Sequence, residues 1–336
     1  MRIDMPRIDM RRIAVVQRLA AVAFAAACAP AGAQDYPSKP VRMIHPYVAG
    51  GPAELITRTV SERMAKVLGQ PLVVESRPGA AGSIGAELVA RAAPDGYTLL
   101  VSVNFTLAAN PHLYPNLPFD PLKDFAPIIA LAGYDSALIM HPSIPASNVQ
   151  ALIAHLKANP GKLNFASAGK GSPGHVLGEL FKLKTGVDLV HIPYKGNAPA
   201  VQSVVAGESA IMFTPTTVAT PLAKAGRLRL LAVYNTERNP DFPDVPTLES
   251  EGITGFEQKD LPAWYGWLAP AGTPQPIIAK LNAEANRALR EKDIADLLQA
   301  RGFIPFGGTP EQFGDLIKRS YASWGKVIRD TGINGE

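Results

Sequence analysis

Met43-Ile44-His45-Pro46-Tyr47-Val48-Ala49-Gly50-Gly51-Pro52-Ala53-Glu54 begins a unit that runs on to Leu68: a short apolar strand, a glycine corner, then an amphipathic helix. Ile56, Val60, Met64, Val67 and Leu68 recur at steps of three and four, which is the spacing of one helical face. A Gly-Gly-Pro corner ahead of a helix lets the backbone turn sharply and leaves the first helical N–H groups without partners. Those donors sit at the positive end of the helix dipole and suit a carboxylate or another anion. The same pattern also serves as a plain strand-to-helix turn with no ligand. Both readings stand at this point.

Outward from this corner the alternation continues. Val41–His45 is the first strand, Gly69 is a natural helix stop, and Pro71–Glu75 supplies a second strand. Gly79–Gly85 is glycine-rich like a phosphate loop but lacks its Lys-Ser/Thr, so it reads as a closely packed turn opening a helix to about Arg91. Tyr97–Val103 is an apolar run bounded by turn signals, the mark of a buried parallel strand. Asn110–Phe125, rich in Pro, Asn and Asp, reads as an irregular surface connection. Phe125–Met140 is extended and apolar, broken at Gly133-Tyr134-Asp135, and suits a segment leaving one lobe for another.

A second alternating unit follows, from the stripe Val149, Leu152, Ile153 and Leu156 to the strand Leu228–Val233. It contains a second corner, Ser167-Ala168-Gly169-Lys170-Gly171-Ser172-Pro173-Gly174, between the strand Leu163–Ala166 and a helix to about Thr185. Asn197 is placed as the cap of the next helix, which closes at Gly207. Trp264-Tyr265-Gly266-Trp267 is extended and aromatic, suited to carrying the chain back; Trp264 and Tyr265 serve equally as hinge packing or pocket wall. Helical patterns near 275–291, 292–301 and 310–329 complete the chain. The whole implies an α/β protein whose sheets are parallel with right-handed crossovers.

Composition narrows the function. The 336 residues are 47% hydrophobic, with a mean hydropathy of +0.06, as in a globular protein with a large core. Residues 1–33 differ: five arginines, an apolar Ala-rich run from Leu19 to Ala29, then Ala31-Gly32-Ala33, a small-x-small cleavage signal. That is a secretory leader cut after Ala33, its apolar run too short to span a bilayer. Its loss removes five Arg and two Asp from 33 basic and 29 acidic residues, leaving a net charge of +1. The sequence pI of about 9.1 therefore overstates the basicity, and no nucleic-acid footprint is indicated. The single cysteine, Cys28, lies in the leader, so the exported chain has no disulfide, thiol catalysis or Cys-ligated metal.

Catalytic signatures are scarce. The exported chain has no G-x-S-x-G elbow, H-E-x-x-H pair, Walker loop or G-x-G-x-x-G after a strand. The six histidines are scattered, with no pair at metal-ligand spacing, so neither a metal nor a cofactor is expected. His175, just past the second corner, is the one histidine placed to reach a ligand, and Ser172 with His175 is the nearest approach to a nucleophile and base. Thr214 and Thr216, after the strand Ala210–Phe213, lie at a strand end equivalent to the second corner, where ligands sit in open sheets.

Several spaced motifs carry a resemblance. Tyr36-Pro37-Ser38-Lys39-Pro40-Val41-Arg42, Pro46 to Gly51, Arg77-Pro78-Gly79-Ala80-Ala81-Gly82 and Ala93-Pro94-Asp95-Gly96-Tyr97-Thr98 are similar to the Bug family. So are Pro193-Tyr194-Lys195-Gly196, Lys224-Ala225-Gly226-Arg227-Leu228-Arg229 and Ala269-Pro270-Ala271-Gly272-Thr273-Pro274. Bug proteins are the extracytoplasmic solute receptors of tripartite tricarboxylate transporters, and the likeness runs in order from Tyr36 to the C-terminus. It implies a two-lobed, Venus-flytrap periplasmic binding protein of type II, acting as a monomer. It divides the chain into lobe 1, residues 34–134 and 264–336, and lobe 2, residues 135–263.

The resemblance further implies that the two corners hold a small carboxylate, largely through backbone N–H groups and bridging waters. The residues it points to are Tyr47, Ala49, Gly50, Gly51, Pro52 and Glu54 in the first lobe, with Thr106 after the third strand. In the second lobe they are Ser167, Ala168, Gly169, Gly171, Ser172, His175, Tyr194, Thr214 and Thr216. Membrane subunits of the transporter are the implied partner. Two departures stand out: the family often has Thr-Asp at Ala53-Glu54, and many members have Asp-Asn at Thr214-Pro215. Loss of the second acid removes a partner for a ligand ammonium, so the expected ligand is a carboxylate without an amine. A secreted hydrolase using Ser172 and His175, and a periplasmic solute sensor of the same fold, are the competing readings.

Overall fold

β1 (Val41–His45), α1 (Pro52–Leu68), β2 (Leu72–Ser76), α2 (Ser83–Ala90) and β3 (Thr98–Val103) alternate as the apolar pattern predicts. They are seen in a computed structural model that describes residues 36–234, 242–256 and 263–334. The leader with Cys28 and the Ala33 cut lies outside those residues. α1 starts with Pro52 in its first turn and stops at Gly69, whose left-handed φ of 70° lets its N–H reach the Ala65 carbonyl at 3.0 Å. β1 lies between β2 and β3 and is parallel to both.

Two short helices follow β3 directly, α3 (Asn104–Ala108) and α4 (Asn110–Leu113). The expected surface connection is therefore partly core: Asn110 is 1% exposed and Leu113 2%. Asn110 is buried because its Nδ2 donates to the Ala81 carbonyl at 2.8 Å, a bond between segments distant in sequence. The chain then runs through β4 (Phe125–Tyr134) and, past Asp135, into β5 (Ser136–Met140).

Next come α5 (Val149–Lys157), β6 (Asn164–Ser167), α6 (Pro173–Thr185), β7 (Val190–Pro193), α7 (Asn197–Val205), β8 (Ile211–Pro215), α8 (Thr216–Lys224) and β9 (Arg229–Tyr234). Gly196, not Asn197, is the cap of α7: at φ 113° it turns the chain as no side chain could do without strain. β10 (Trp264–Pro270), α9 (Gln275–Arg290), α10 (Lys292–Ala300), β11 (Phe303–Gly307) and α11 (Pro310–Thr331) complete the fold.

The strands form two sheets, ordered β11-β4-β10-β3-β1-β2 and β7-β6-β8-β5-β9. Both are mixed, which corrects the parallel sheets expected from the alternation. β10 is antiparallel to β3 and β4, and β5 is antiparallel to β8 and β9. The reason is topological. β5 enters the second sheet from the first, and β10 re-enters the first from the second, so each runs against strands that lead outward to the junction. The protein is thus a two-lobed α/β fold, and residues Lys39–Glu336 make one compact unit.

α11 ties the two cores together. Its Phe313 and Ile317 pack with Trp264 and Leu268 in one apolar cluster, while Trp324 and Ile328 join Leu177 and Phe181 of α6 in another. Trp324 meets Phe105 of α3 edge-on at 4.5 Å. Trp264 donates from Nε1 to Ser320, and Tyr265 stacks on Tyr134 at 4.6 Å, both fully within the core. Of the two roles open to Trp264 and Tyr265, packing is the one they fill, Trp264 against α11 and Tyr265 on the neighbouring strand.

Candidate functional site

The first corner is open to solvent at its tip. Val48, Ala49 and Gly50 are exposed, Tyr47, Gly51 and Pro52 are half-buried, and Ala53 and Glu54 are buried at the start of α1. Gly50 has φ 89°, a left-handed turn that favours glycine. Tyr47 anchors the base of the corner: its hydroxyl lies 2.9 Å from Thr106 Oγ1 and donates to the Ala81 carbonyl at 3.3 Å. Burial pushes that hydroxyl up to about 12, so it remains protonated and able to donate.

Ala81 belongs to a constrained turn. Gly79, Ala80, Ala81 and Gly82 all have positive φ, and alanine tolerates such values poorly. The Ala81 carbonyl takes bonds from both Tyr47 and Asn110, which hold the turn against the bottom of the corner. A Cβ on Gly85 would lie 2.8 Å from Pro46 Cβ and 2.9 Å from its Cα, so the glycine-rich segment is a close-packed turn as expected.

Glu54 is turned inward. Its Oε2 accepts the Gly50 N–H at 2.7 Å, and its Oε1 takes Arg58 Nε at 2.7 Å. Burial works to raise its pKa, but the Gly50 N–H and the Arg58 guanidinium outweigh it and hold the carboxyl below the ordinary glutamate range. Glu54 thus shapes the loop that carries the donors, with both oxygens engaged inside the corner.

The second corner is built on β6 and α6. Ser167 is buried; Gly169 and Gly171 adopt φ of 130° and 70°. The Ala168 carbonyl accepts the Gly196 N–H at 3.2 Å, tying this corner to the start of α7. Ser172, at the helix cap, makes no capping bond, and its buried Oγ has no hydrogen-bond partner among the described residues. Thr214 is 1% exposed and its Oγ1 likewise lacks a partner. Thr216 is engaged elsewhere, donating to the Asp135 carbonyl at 3.2 Å, where the chain passes between the sheets. Tyr194 directs its hydroxyl toward Ser209 at 3.4 Å.

His175 and Ser172 do not pair as base and nucleophile in this structure. His175 Nδ1 accepts the Gly171 N–H at 3.0 Å, and its ring stacks on His191 at 3.9 Å. Sequence reasoning missed His191, which sits on β7 opposite Phe165 and reaches Ser167 Oγ at 2.6 Å. Its only signal was its place on the strand before Pro193-Tyr194-Lys195-Gly196.

The tip of the first corner reaches Gly196, whose N–H is bonded to the second corner at Ala168. A Cβ on Gly196 would lie 3.9 Å from Val48 Cγ2 at the tip of the first corner, and one on Gly171 would lie 2.8 Å from the Tyr114 hydroxyl after α4. The N-termini of α1 and α6, two helices of 17 and 13 residues, therefore flank one junction between the sheets. A separate groove of about 700 Å³ runs along α9, but its Asn282 and Asn286 are spent on the Gly308 carbonyl and its Arg287 pairs with Glu284. It is a structural seam. No cluster of metal-ligating side chains occurs among the described residues.

Known proteins resemble this chain in sequence and in fold. The model of the tripartite tricarboxylate transporter family receptor matches residues 56–333. Protein BugT of Bordetella pertussis is 36% identical, covering 93% of this chain and 95% of its own. The solved structure of Rpa4515 from R. palustris with adipate superposes with a TM-score of 0.84 at 31% identity, covering 89% of this chain and 99% of that one. MatC (Rpa3494) from Rhodopseudomonas palustris with bound malate gives a TM-score of 0.80 at 33% identity, covering 87% and 100%. A receptor-family match over most of the chain and relatives of this identity lead to one conclusion: the chain belongs to the Bug family of tripartite tricarboxylate transporter receptors.

Proposed function

We propose that the protein captures a small carboxylate between its two corners in the periplasm and delivers it to the membrane subunits of a tripartite tricarboxylate transporter. The observation that carries this reading is the nearness of the two glycine corners, each at the positive end of a long helix, through the contacts of Val48 with Gly196 and of Gly171 with Tyr114. Backbone N–H groups of Ala49 and Gly51 take one end of the anion and that of Ala168 the other, while the N–H groups of Gly50, Gly169 and Gly171 hold the corners in shape through Glu54, Ser167 and His175. Charge-assisted N–H to carboxylate bonds strengthen as closure excludes water. Closure also changes the face offered to the transporter, which lets a loaded receptor be distinguished from an empty one.

The lobes of this reading are residues 34–134 with 264–336, and 135–263, and the leader 1–33 is removed on export. The adipate and malate held by relatives are both carboxylates without an amine. The same class is assigned here, because Thr214 offers a hydroxyl where many members carry an acid to pair an ammonium. Thr214 Oγ1 and Ser172 Oγ, buried without partners, are the side-chain groups assigned to the ligand. A thermal-shift screen of the exported chain over malate, adipate, aromatic carboxylates and α-amino acids tests this. Stabilisation by carboxylates lacking an amine is expected, following the logarithmic dependence of ligand-linked stability. Stabilisation by amino acids alone contradicts it.

A further inference from the structure

The second corner is pinned by two imidazoles. Ser167 Oγ contacts three groups: His191 Nε2 at 2.6 Å, the Gly169 N–H at 3.1 Å and the Gly169 carbonyl at 2.9 Å. A hydroxyl has one proton and can accept twice. All three contacts are satisfied only when the Ser167 proton goes to the Gly169 carbonyl and His191 donates from Nε2. On the other side, Gly171 donates its N–H to His175 Nδ1, so that nitrogen carries no proton and the neutral ring is protonated at Nε2.

The rings then lie on one another, 3.9 Å apart and 16° from parallel, with Phe165 stacked beneath His191 at 4.8 Å. A Cβ on Gly178 would strike the Phe165 ring at 2.2 Å, so the α6 backbone closes the stack from behind. Two charged rings at this separation repel. A proton added to His175 Nδ1 would also point straight at the Gly171 N–H, replacing an attraction by a clash of donors.

We propose that His175 and His191 are positioning residues for the second corner: as neutral rings they hold Ser167–Gly171 in the shape that presents the Ala168 N–H and the Ser172 hydroxyl to a carboxylate, and protonation of His175 lets Gly171 go. The inference rests on the carboxylate reading of that corner. The charged groups around the pair agree with it. For His175, burial is the largest influence and lowers its proton affinity, Glu179 opposes it, and Lys182 and Lys170 add to the lowering. For His191, burial again leads, with His175, Lys182 and Lys170 adding, and the ring is pushed down to about 3. Both rings therefore gain a proton only below the ordinary histidine range, His191 after His175, and release is an acid-side event.

The test reads the corner without a ligand. Amide hydrogen exchange over residues 167–172 of the exported chain, corrected for the intrinsic pH dependence of exchange, is compared in the wild type and in His175→Asn. Asparagine keeps an acceptor near the place of Nδ1 but does not titrate. Wild-type protection is expected to fall about tenfold between about pH 7 and about pH 4, the worth of one lost hydrogen bond, and to stay level in the variant. A flat wild-type profile, or an equal fall in His175→Asn, overturns the proposal. His191→Phe, which keeps the stack but not the bond to Ser167, is expected to lower protection at every pH.

Calorimetry with malate and adipate over the same pH range separates the two readings, because the ligand's own titration is common to wild type and variant. Loss of affinity on the acid side in the wild type, steeper than in His175→Asn, supports the pair. If neither probe binds at any pH while exchange behaves as stated, the pair stands and the carboxylate reading fails. If the probes bind with no pH difference between wild type and variant, the pair is refuted and the carboxylate reading stands.

Discussion

Glu54 Oε2 accepts the Gly50 N–H at 2.7 Å, inside the turn whose neighbouring N–H groups are assigned to the ligand. An acid in the first turn of a helix is ordinarily a dipole partner; here it also fixes the loop that precedes the helix. Glu54→Ala is expected to lower stability by about 1–2 kcal/mol, and Glu54→Gln, which keeps an acceptor, by less. The sign of the pH dependence follows from the lowered pKa of Glu54 in the folded state. Its contribution is present above the ordinary glutamate range and disappears as pH falls through the folded value. Thermal unfolding of wild type and Glu54→Ala against pH should therefore converge in acid; parallel curves down to low pH would contradict it.

Gly85 lets α2 approach the first corner more closely than any side chain would permit. The atoms a Cβ would meet are Pro46 Cβ and Cα and the Arg77 carbonyl, the last at 3.0 Å, and the backbone among them cannot swing aside. Gly85→Ala is expected to cost about 1–3 kcal/mol in chemical denaturation, as overpacking does. It should weaken carboxylate binding as well, since Pro46 leads directly into the corner.

Ala81 sits at φ 52° beside Ala80 at φ 45°. Left-handed alanine costs about 1–2 kcal/mol, of which glycine returns a part through its larger unfolded entropy. Ala81→Gly is expected to raise the unfolding midpoint slightly, while Tyr47→Phe, which removes the hydroxyl between Thr106 and the Ala81 carbonyl, lowers it by about 1 kcal/mol equivalent. Opposite signs in one denaturation series would confirm that the turn is strained and held from outside.

Thr214 hides a hydroxyl without a partner among the described residues. Thr214→Val keeps the shape and removes an unmet polar group, so stability should hold or rise. Carboxylate affinity should fall by about tenfold if the lost hydroxyl bonds the ligand. A variant with reduced stability and unchanged affinity would remove Thr214 from the site.

Much of this was legible because glycine, proline and apolar spacing act locally. Gly50-Gly51-Pro52, Gly69 and the break at Gly133-Tyr134-Asp135 mark turns, helix ends and the passage between sheets by backbone conformation alone. What escaped depends on contacts across the chain. The reversed directions of β5 and β10 follow from where each strand arrives, not from its residues. Asn110 is buried by a carbonyl 29 positions away. His191 gains its role from Ser167 and His175, which no spacing rule connects to it. The inward turn of Glu54 likewise depends on Gly50 presenting its N–H, a detail of loop geometry below the resolution of a sequence pattern.

Isothermal titration of the exported chain and its Gly51→Asp variant with malate and adipate reads the carboxylate site most directly. Gly51 has φ −82°, and a Cβ there meets nothing within 4 Å, so the substitution leaves the fold intact and places an anion at the mouth of the first corner. Saturable one-to-one binding by the wild type, abolished in Gly51→Asp at unchanged unfolding temperature, is the predicted result. Binding of undiminished affinity in the variant would contradict the site.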